Sequence, residues 1–337
     1  MVVAILGPTA SGKSQLGVAL AERLAGEIVC CDSMQVYRGM DIGTGKPTRE
    51  EQRLCPHHLL DVVDPGEPFH AATWARQASL VIEQIRARGR LPIIVGGTGL
   101  YFRALRGGLF EAPPSDAGIR ARHKAEAEAL GVPALHARLQ TIDAEAASRI
   151  LPGDLVRVSR ALEVFEQTGV PISELRKRAV EPPLPWPLFA IILDFPMSEL
   201  RPRIHARVDQ MMAAGFLPEV EALRAAGHGP TRALAALGYK QLEAHLDGSL
   251  SLEQAVLETK TATCAYARRQ RTWFRREPAD LRVPQPPSIE AEGGVHAAIS
   301  REIAESQHAR AGIVRGIQGE FALVIGRGVE PLGRVQV

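Results

Sequence analysis

The 337-residue sequence predicts an α/β protein whose doubly wound parallel sheet is interrupted by a helical insertion domain. Three observations carry that prediction. An apolar run at residues 2–6 leads directly into Gly7-Pro8-Thr9-Ala10-Ser11-Gly12-Lys13-Ser14 and then into an apolar-periodic stretch, 15–24, that reads as a helix. Strand and helix signals keep alternating over roughly the first hundred residues. The alternation stops between two proline pairs, Pro113-Pro114 and Pro182-Pro183, and strand character returns just after them.

The octet fits G-x-x-x-x-G-K-[ST], a P-loop, so the predicted core is P-loop NTPase-like. Its glycines let successive backbone N–H groups turn inward on phosphate oxygens. Lys13 adds a mobile positive charge, and the Ser14 hydroxyl suits Mg²⁺. The alternative is a chance match, against which stand the strand before the octet and the helix after it. The loop specifies a ligand with linked phosphates and leaves the reaction open.

The remaining elements follow in order. A strand is predicted at 27–31. A helix at 73–88 carries Trp74, Ala78, Val81, Ile82 and Ile85 on one face, and a buried strand follows at 91–95. Ligands of parallel sheets sit at the carboxyl ends of the strands, so the P-loop, the segment after Cys31 and the segment after Val95 converge on one crevice. Between the proline pairs, Ser115 caps a helix at 116–130 that stops at Gly131, and a second helix at 155–167 stops at Gly169. A strand at 188–195 and helices at 199–215, 218–226 and 252–276 rejoin the sheet. The organisation is thus a first core part at 1–112, a helical insertion at 113–187, a second core part at 188–285 with a basic C-terminal helix, and a tail at 286–337. Within the tail a strand is predicted at 321–325, and no role attaches to it.

Composition sets the class. Hydrophobic residues at 45% and charged ones at 23% describe a soluble globular chain. No apolar run approaches the roughly 20 residues of a bilayer span, which predicts a cytoplasmic protein without membrane partners. Cys30, Cys31, Cys55 and Cys264 show no metal spacing and read as buried thiols. His57-His58 is adjacent on an extended stretch, so the two rings point to opposite faces and read as structural. A net charge of +2 means that any polyanion surface is local. No uncommitted hydrophobic stripe points to a partner subunit, and a monomer is expected.

The strand ends narrow the chemistry. Residues 91–95 run into Gly96-Gly97-Thr98-Gly99 with no carboxylate where many P-loop hydrolases place a Mg²⁺-organising acid. These residues offer donors to a pyrophosphate, or simply make a tight turn. Asp32 faces the crevice from the end of the second strand, as a general base for an acceptor nucleophile or as a cap. In 268–276, five arginines and two aromatics occupy nine residues, with Arg268, Arg271 and Arg275 on one helical face. That pattern suits nucleic acid or polyphosphate, the alternative being a solvated helix with Trp273 and Phe274 in the core. Arg157 and Arg160 repeat the spacing within the insertion.

Together these residues resemble the bacterial tRNA dimethylallyltransferases, also called tRNA isopentenyltransferases. The likeness rests on GPTASGKS at 7–14, DSMQVYRGMDIGTGKP at 32–47, HHLLD at 57–61, VGGTGLY at 95–101, RVSRALEVF at 157–165, RIHARVDQMMAAGFLPEV at 203–220, LGYKQ at 237–241 and ARRQRTWFR at 267–275. The blocks fall in family order over about 280 residues and are far more specific as a set than the P-loop alone. The resemblance implies transfer of a dimethylallyl group from dimethylallyl diphosphate to N6 of the adenosine just 3′ of the anticodon, in tRNAs reading codons that begin with U. It places the prenyl diphosphate in the P-loop (Gly7, Pro8, Thr9, Ala10, Ser11, Gly12, Lys13, Ser14) with Mg²⁺ on Ser14. It gives the N6 proton to Asp32, and gives the departing pyrophosphate to Thr9, Lys13, Ser14, Thr98 and Arg207. Contact with the tRNA anticodon stem-loop falls to Asp32, Ser33, Met34, Gln35, Thr98, Arg120, Val156, Arg157, Val158, Ser159 and Arg160, joined by Arg268, Arg271 and Arg275 of the basic helix. Met34, Met211 and Met212 line a prenyl pocket or pack in the core.

The chain departs from the family where Leu155-Val156 stands for the usual Pro-Gln, which removes a side-chain amide suited to reading RNA. Past Pro284 the likeness fades. The competing function is a small-molecule or nucleotide kinase with ATP in the P-loop and Asp32 activating a hydroxyl. A third, a non-catalytic RNA-binding module, sits poorly with Lys13, Ser14, Asp32 and Thr98 occurring together.

Overall fold

The computed structural model describes residues 1–107, 113–178, 184–229, 231 and 233–284. In chain order the elements begin β1 (Val2–Leu6), α1 (Lys13–Arg23), β2 (Gly26–Cys31), α2 (Arg49–Leu54), β3 (His57–His58), α3 (Ala71–Ala87), β4 (Leu91–Gly96) and α4 (Gly99–Gly107). Then come α5 (Ala117–Leu130), α6 (Val132–Ile142), α7 (Ala144–Arg149), α8 (Leu155–Thr168) and α9 (Ile172–Arg178). The chain continues through β5 (Leu188–Leu193), α10 (Met197–Ala213), α11 (Phe216–Ala225), α12 (Tyr239–Leu246), α13 (Leu252–Phe274) and β6 (Leu281–Val283). Among the described residues two compact units result, one of 1–105 with 184–284 and one of 106–183.

In the first unit the six strands named above form one parallel sheet in the order β3-β2-β4-β1-β5-β6. β1 lies between β4 and β5, with Ile5 opposite Val95 on one side and Ile191 on the other. A strand covered on both faces must be apolar throughout, and every residue of β1 is buried. Its side chains alternate between two cores: Val2, Ala4 and Leu6 join Trp74, Ile82 and Phe102, while Val3 and Ile5 join Leu20, Ile28 and Ile93. This is the doubly wound P-loop NTPase-like fold that the sequence predicts, with the carboxyl ends of β1, β2 and β4 side by side.

The second unit has its own core, built from Leu135, Leu139, Val158, Leu162 and Val164 among others. Its pivot is Glu163, fully buried on α8, whose carboxylate takes the Asp116 N–H at 2.6 Å and pairs with Arg120 and Arg160. Three donors compensate a buried charge that would otherwise be costly.

The first helix of this unit is capped by Asp116, which accepts from Ile119 N–H at 2.9 Å, where the sequence predicts Ser115. The cap therefore falls one residue later. Gly169 ends α8 in a left-handed conformation, φ 69°, as its position predicts. The short elements α2, α7, α9, β3 and β6 carry too few residues for periodicity to register. The four cysteines are free and buried, and burial pushes the Cys55 thiol up to about 11. The predicted strand at 321–325 lies outside the described residues. Among the described residues no helix is long and apolar enough to cross a membrane.

Candidate active site

The P-loop is held from three sides. Gly12, at φ 83°, turns the chain into α1, and Lys13 donates back to the Pro8 carbonyl at 3.1 Å. A Cβ on Gly7 would stand 2.8 Å from the Leu193 carbonyl, so only glycine lets β1 end this close to β5. From α13, the Gln270 carbonyl oxygen accepts from Thr9 N–H at 2.9 Å.

Beside the loop, Asp32 follows β2 and accepts from Met34 N–H at 2.9 Å, which fixes the turn that places its carboxylate in the crevice. Thr98 stands behind it, its hydroxyl accepting from Ser33 N–H at 2.9 Å and its own N–H reaching the Cys31 carbonyl. The sequence reads Gly96-Gly97-Thr98-Gly99 as donors or as a turn. The structure gives each glycine a packing reason: a Cβ on Gly96 would meet the Cys31 carbonyl at 2.0 Å, on Gly97 the Gln270 Nε2 at 2.4 Å, and on Gly99 the Trp273 Nε1 at 2.1 Å.

These parts surround a cavity of about 380 Å³. Its lining includes the polar Lys13, Ser14, Asp32, Arg207, Tyr266 and Arg269 and the apolar Met34, Val208, Met211, Phe216 and Leu237. Met212 packs against the core instead of lining it. The polar lining is electrostatically tense. Burial first, then the neighbouring Arg207, pushes the Lys13 ammonium down to about 8, with Asp32 partly opposing the shift. Arg207 is also depressed by burial and supported by Asp32. Two desolvated cations lie near Asp32, with Glu51 also acting on Arg207, in a site suited to an anionic ligand. A more open cavity of about 1020 Å³ shares Lys13, Ser14, Arg207 and Met211 and adds Lys46, Arg49 and Arg203. Among the described residues no three His, Cys, Asp or Glu side chains cluster as a metal site. Ser14, exposed at the start of α1 and lining both cavities, offers one hard oxygen. That suits Mg²⁺, which commonly takes few protein ligands and completes its shell with phosphate and water.

Two features were not legible as functional in the sequence. Glu219 on α11 gathers the N–H groups of Asp41, Ile42 and Gly43 at 3.0, 2.6 and 3.1 Å and receives the Tyr239 hydroxyl at 2.7 Å. This clamps the 41–45 loop. Gln270, an uncharged residue within the basic run, is the second; its spacing of four from Tyr266 on one helical face was the available signal.

The basic helix differs from its predicted form. Asp194, just beyond β5, pairs with Arg271 at 2.8 Å and with Arg275 at 3.0 Å, so two members of the predicted three-arginine face already have a carboxylate. Arg268 is exposed, Phe274 is in the core, and Trp273 packs under Arg103 at 4.2 Å. His58 pairs with buried Glu27 at 2.7 Å. His57, whose Nδ1–H donates to the Cys55 carbonyl at 2.9 Å, is held below the usual histidine range by burial.

In the second unit, Val156 is 79% exposed and Arg157 is exposed beside Asp154. Val158 is fully buried in the unit's core, and Ser159 is buried and hydrogen-bonded to His123 at 2.9 Å. Side-chain contact with RNA is therefore corrected for Val158 and Ser159: α8 turns them inward while 156, 157 and 160 lie on other faces. Arg120 and Arg160 share Glu163.

A parallel sheet with a P-loop sequence and a carboxylate at its strand ends, met by Lys13 of α1 and Arg207 of α10 around one cavity, has the P-loop NTPase-like architecture. The chain belongs to the tRNA dimethylallyltransferase family of prenyltransferases: the family model described as IPP transferase matches residues 35–277, and one described as isopentenyl transferase matches 1–60. It is 49% identical over 290 residues to the tRNA dimethylallyltransferase of Anaeromyxobacter dehalogenans (strain 2CP-1), covering 86% of this chain and 95% of that one. The enzyme of the same name from Geobacter sulfurreducens is 46% identical over 291 residues, 86% and 94% of the two chains. Among solved structures, the Bacillus halodurans tRNA isopentenylpyrophosphate transferase superposes with a TM-score of 0.63 at 37% identity, covering 96% of this chain and 98% of that one. A eukaryotic dimethylallyltransferase acting on tRNA superposes with a TM-score of 0.69 at 26% identity, covering 95% and 84%.

Proposed function

We propose that this chain transfers the dimethylallyl group of dimethylallyl diphosphate to N6 of the adenosine immediately 3′ of the anticodon, in tRNAs that read codons beginning with U. The observation that carries the reading is that Lys13, Arg207 and Asp32 line one cavity together with Met34, Val208, Met211, Phe216 and Leu237, with both cations depressed by burial. A diphosphate supplies negative charge, and the apolar lining suits a five-carbon tail.

The exocyclic amine is a weak nucleophile, so the rate must come from alignment and from charge stabilisation on the leaving group. The N6 lone pair forms a bond to the allylic carbon while the carbon–oxygen bond breaks. Its electron pair leaves with pyrophosphate. Lys13 and Arg207 stabilise that developing charge together with the Thr9 and Ser14 hydroxyls, and Asp32 takes the N6 proton. Thr98 acts from behind the wall by fixing the Asp32–Ser33 turn. Ser14 would hold Mg²⁺, whose Lewis acidity would supply neutralisation of phosphate charge.

Ser33, Met34 and Gln35 lie beside Asp32 where the target adenine would enter, out of its stack. Arg120, Arg157, Arg160, Arg268 and the exposed Val156 are the further RNA contacts, and the enzyme works as a cytoplasmic monomer. A kinase reading is disfavoured, because the relatives are prenyltransferases.

The test incubates the protein with Mg²⁺, dimethylallyl diphosphate and unmodified tRNA, then digests the RNA for nucleoside mass spectrometry. N6-dimethylallyladenosine that disappears without the diphosphate and in Asp32→Ala is expected. ATP consumption with a small acceptor and no prenylated base would overturn the reading.

A further inference from the structure

Gln270 is 6% exposed and sits at the middle of the two phosphate-facing loops, although it belongs to neither. Its Oε1 accepts from Thr9 N–H of the P-loop at 2.9 Å, and its Nε2 donates to the Gly97 carbonyl at 2.9 Å. The two contacts demand opposite atoms, so together they fix the orientation of the amide. The contact is close enough to exclude any side chain at 97, since a Cβ there would lie 2.4 Å from Nε2. Tyr266, one turn earlier on α13 and lining the cavity, is hydrogen-bonded to the same amide.

We infer that Gln270 is a positioning residue that sets the P-loop and the Gly96–Gly99 loop in register for the diphosphate, and thereby couples α13 to the donor site. No other residue type does this equally well. Glutamate keeps an acceptor for Thr9 N–H but sets a charge against the Gly97 carbonyl; methionine fills the same volume and makes neither bond; asparagine is one methylene too short. Without the amide, Thr9 N–H and Gly97 O are unpaired inside a packed wall, and both loops relax to satisfy them. The inference rests on the proposed diphosphate-binding role of the P-loop.

The experiment measures inorganic pyrophosphate binding by calorimetry, and separately the KM for dimethylallyl diphosphate, the KM for tRNA, kcat and the thermal midpoint, for the wild type, Gln270→Met and Gln270→Glu. Loss of two hydrogen bonds, one buried and one part-buried, predicts pyrophosphate affinity about tenfold weaker in Gln270→Met, on the scale usual for such bonds. The diphosphate KM should rise with it while the tRNA KM stays put, a split that general loosening of the fold would not produce. Gln270→Glu keeps the acceptor for Thr9 N–H but sets a carboxylate against the Gly97 carbonyl and beside an anionic ligand, so it should bind pyrophosphate no better than Gln270→Met, and it serves as the second variant should Met fold poorly. Variants that bind pyrophosphate and turn over like the wild type overturn the positioning role alone. A wild-type protein that binds no pyrophosphate overturns the reading of the loop, and the inference with it.

Discussion

The Arg207 guanidinium lies directly on Gly45: a Cβ at that glycine would fall 1.8 Å from Nη2. Gly45 also holds φ at 59°, in the left-handed region. The loop that carries it is clamped by Glu219, so the position of a cation in the cavity is set by a glycine on one element and a carboxylate on another.

Gly45→Ala should therefore displace Arg207 without touching the P-loop. A misplacement of about 1 Å in a catalytic group costs on the order of 100-fold, and kcat should fall by about that factor. Left-handed strain adds about 1–2 kcal/mol of lost stability. Single-turnover kinetics beside a denaturation curve separates the two; wild-type turnover in Gly45→Ala would show that Arg207 does not need this seat.

Glu219→Gln should loosen the loop from its other side. Three backbone N–H groups and the Tyr239 hydroxyl converge on that carboxylate, and the neutral amide offers one acceptor oxygen in place of two. We expect a stability loss of about 2–3 kcal/mol, the scale of hydrogen bonds to a charged group. Tyr239→Phe, removing one of four donors, should cost less, about 1–2 kcal/mol. Phenylalanine keeps the ring that packs against Phe216, so urea titrations of both variants isolate the hydroxyl; a loss in Tyr239→Phe equal to that in Glu219→Gln would mean that the hydroxyl bond, not the three backbone N–H groups, carries the clamp.

The pH dependence of donor binding follows from Lys13. Its ammonium is depressed to about 8 in the absence of ligand, and a bound diphosphate favours the charged form. Below that pH the cation is in place; as pH rises through it the neutral amine grows, and affinity falls by up to about tenfold per unit. Lys13→Arg, charged throughout, should flatten the profile between about pH 7.5 and 9.5. A wild-type profile already flat across that window would remove Lys13 as the titrating group.

What the sequence made legible follows physical range. The P-loop, β1 and β4 were readable because a fully buried parallel strand must be apolar at every position and the octet's glycines are dictated by backbone alone. Asp32 was placed in the crevice because it directly follows a strand end. Gln270 and Glu219 stayed hidden because their partners are 261 and about 177 residues away, and no local pattern encodes such contacts. The same reason explains the arginine face: helical spacing correctly aligns 268, 271 and 275, but only the tertiary structure shows that Asp194 is waiting for two of them.

That difference makes the arginines separable by salt. If tRNA lies on α13, exposed Arg268 meets phosphate without giving up a partner, so Arg268→Ala should weaken binding and reduce the slope of log affinity against log salt by about 0.7–0.9, one phosphate's worth. Arg271 is 14% exposed and held by Asp194. Arg271→Ala should leave the slope unchanged and instead cost about 1–3 kcal/mol, as expected for breaking a partly buried charged hydrogen bond. Filter binding of unmodified tRNA from low to moderate salt, with a melt of each variant, distinguishes the two. A slope that drops for Arg271→Ala and not for Arg268→Ala would mean that RNA phosphate displaces Asp194 and that the ion pair is opened on binding.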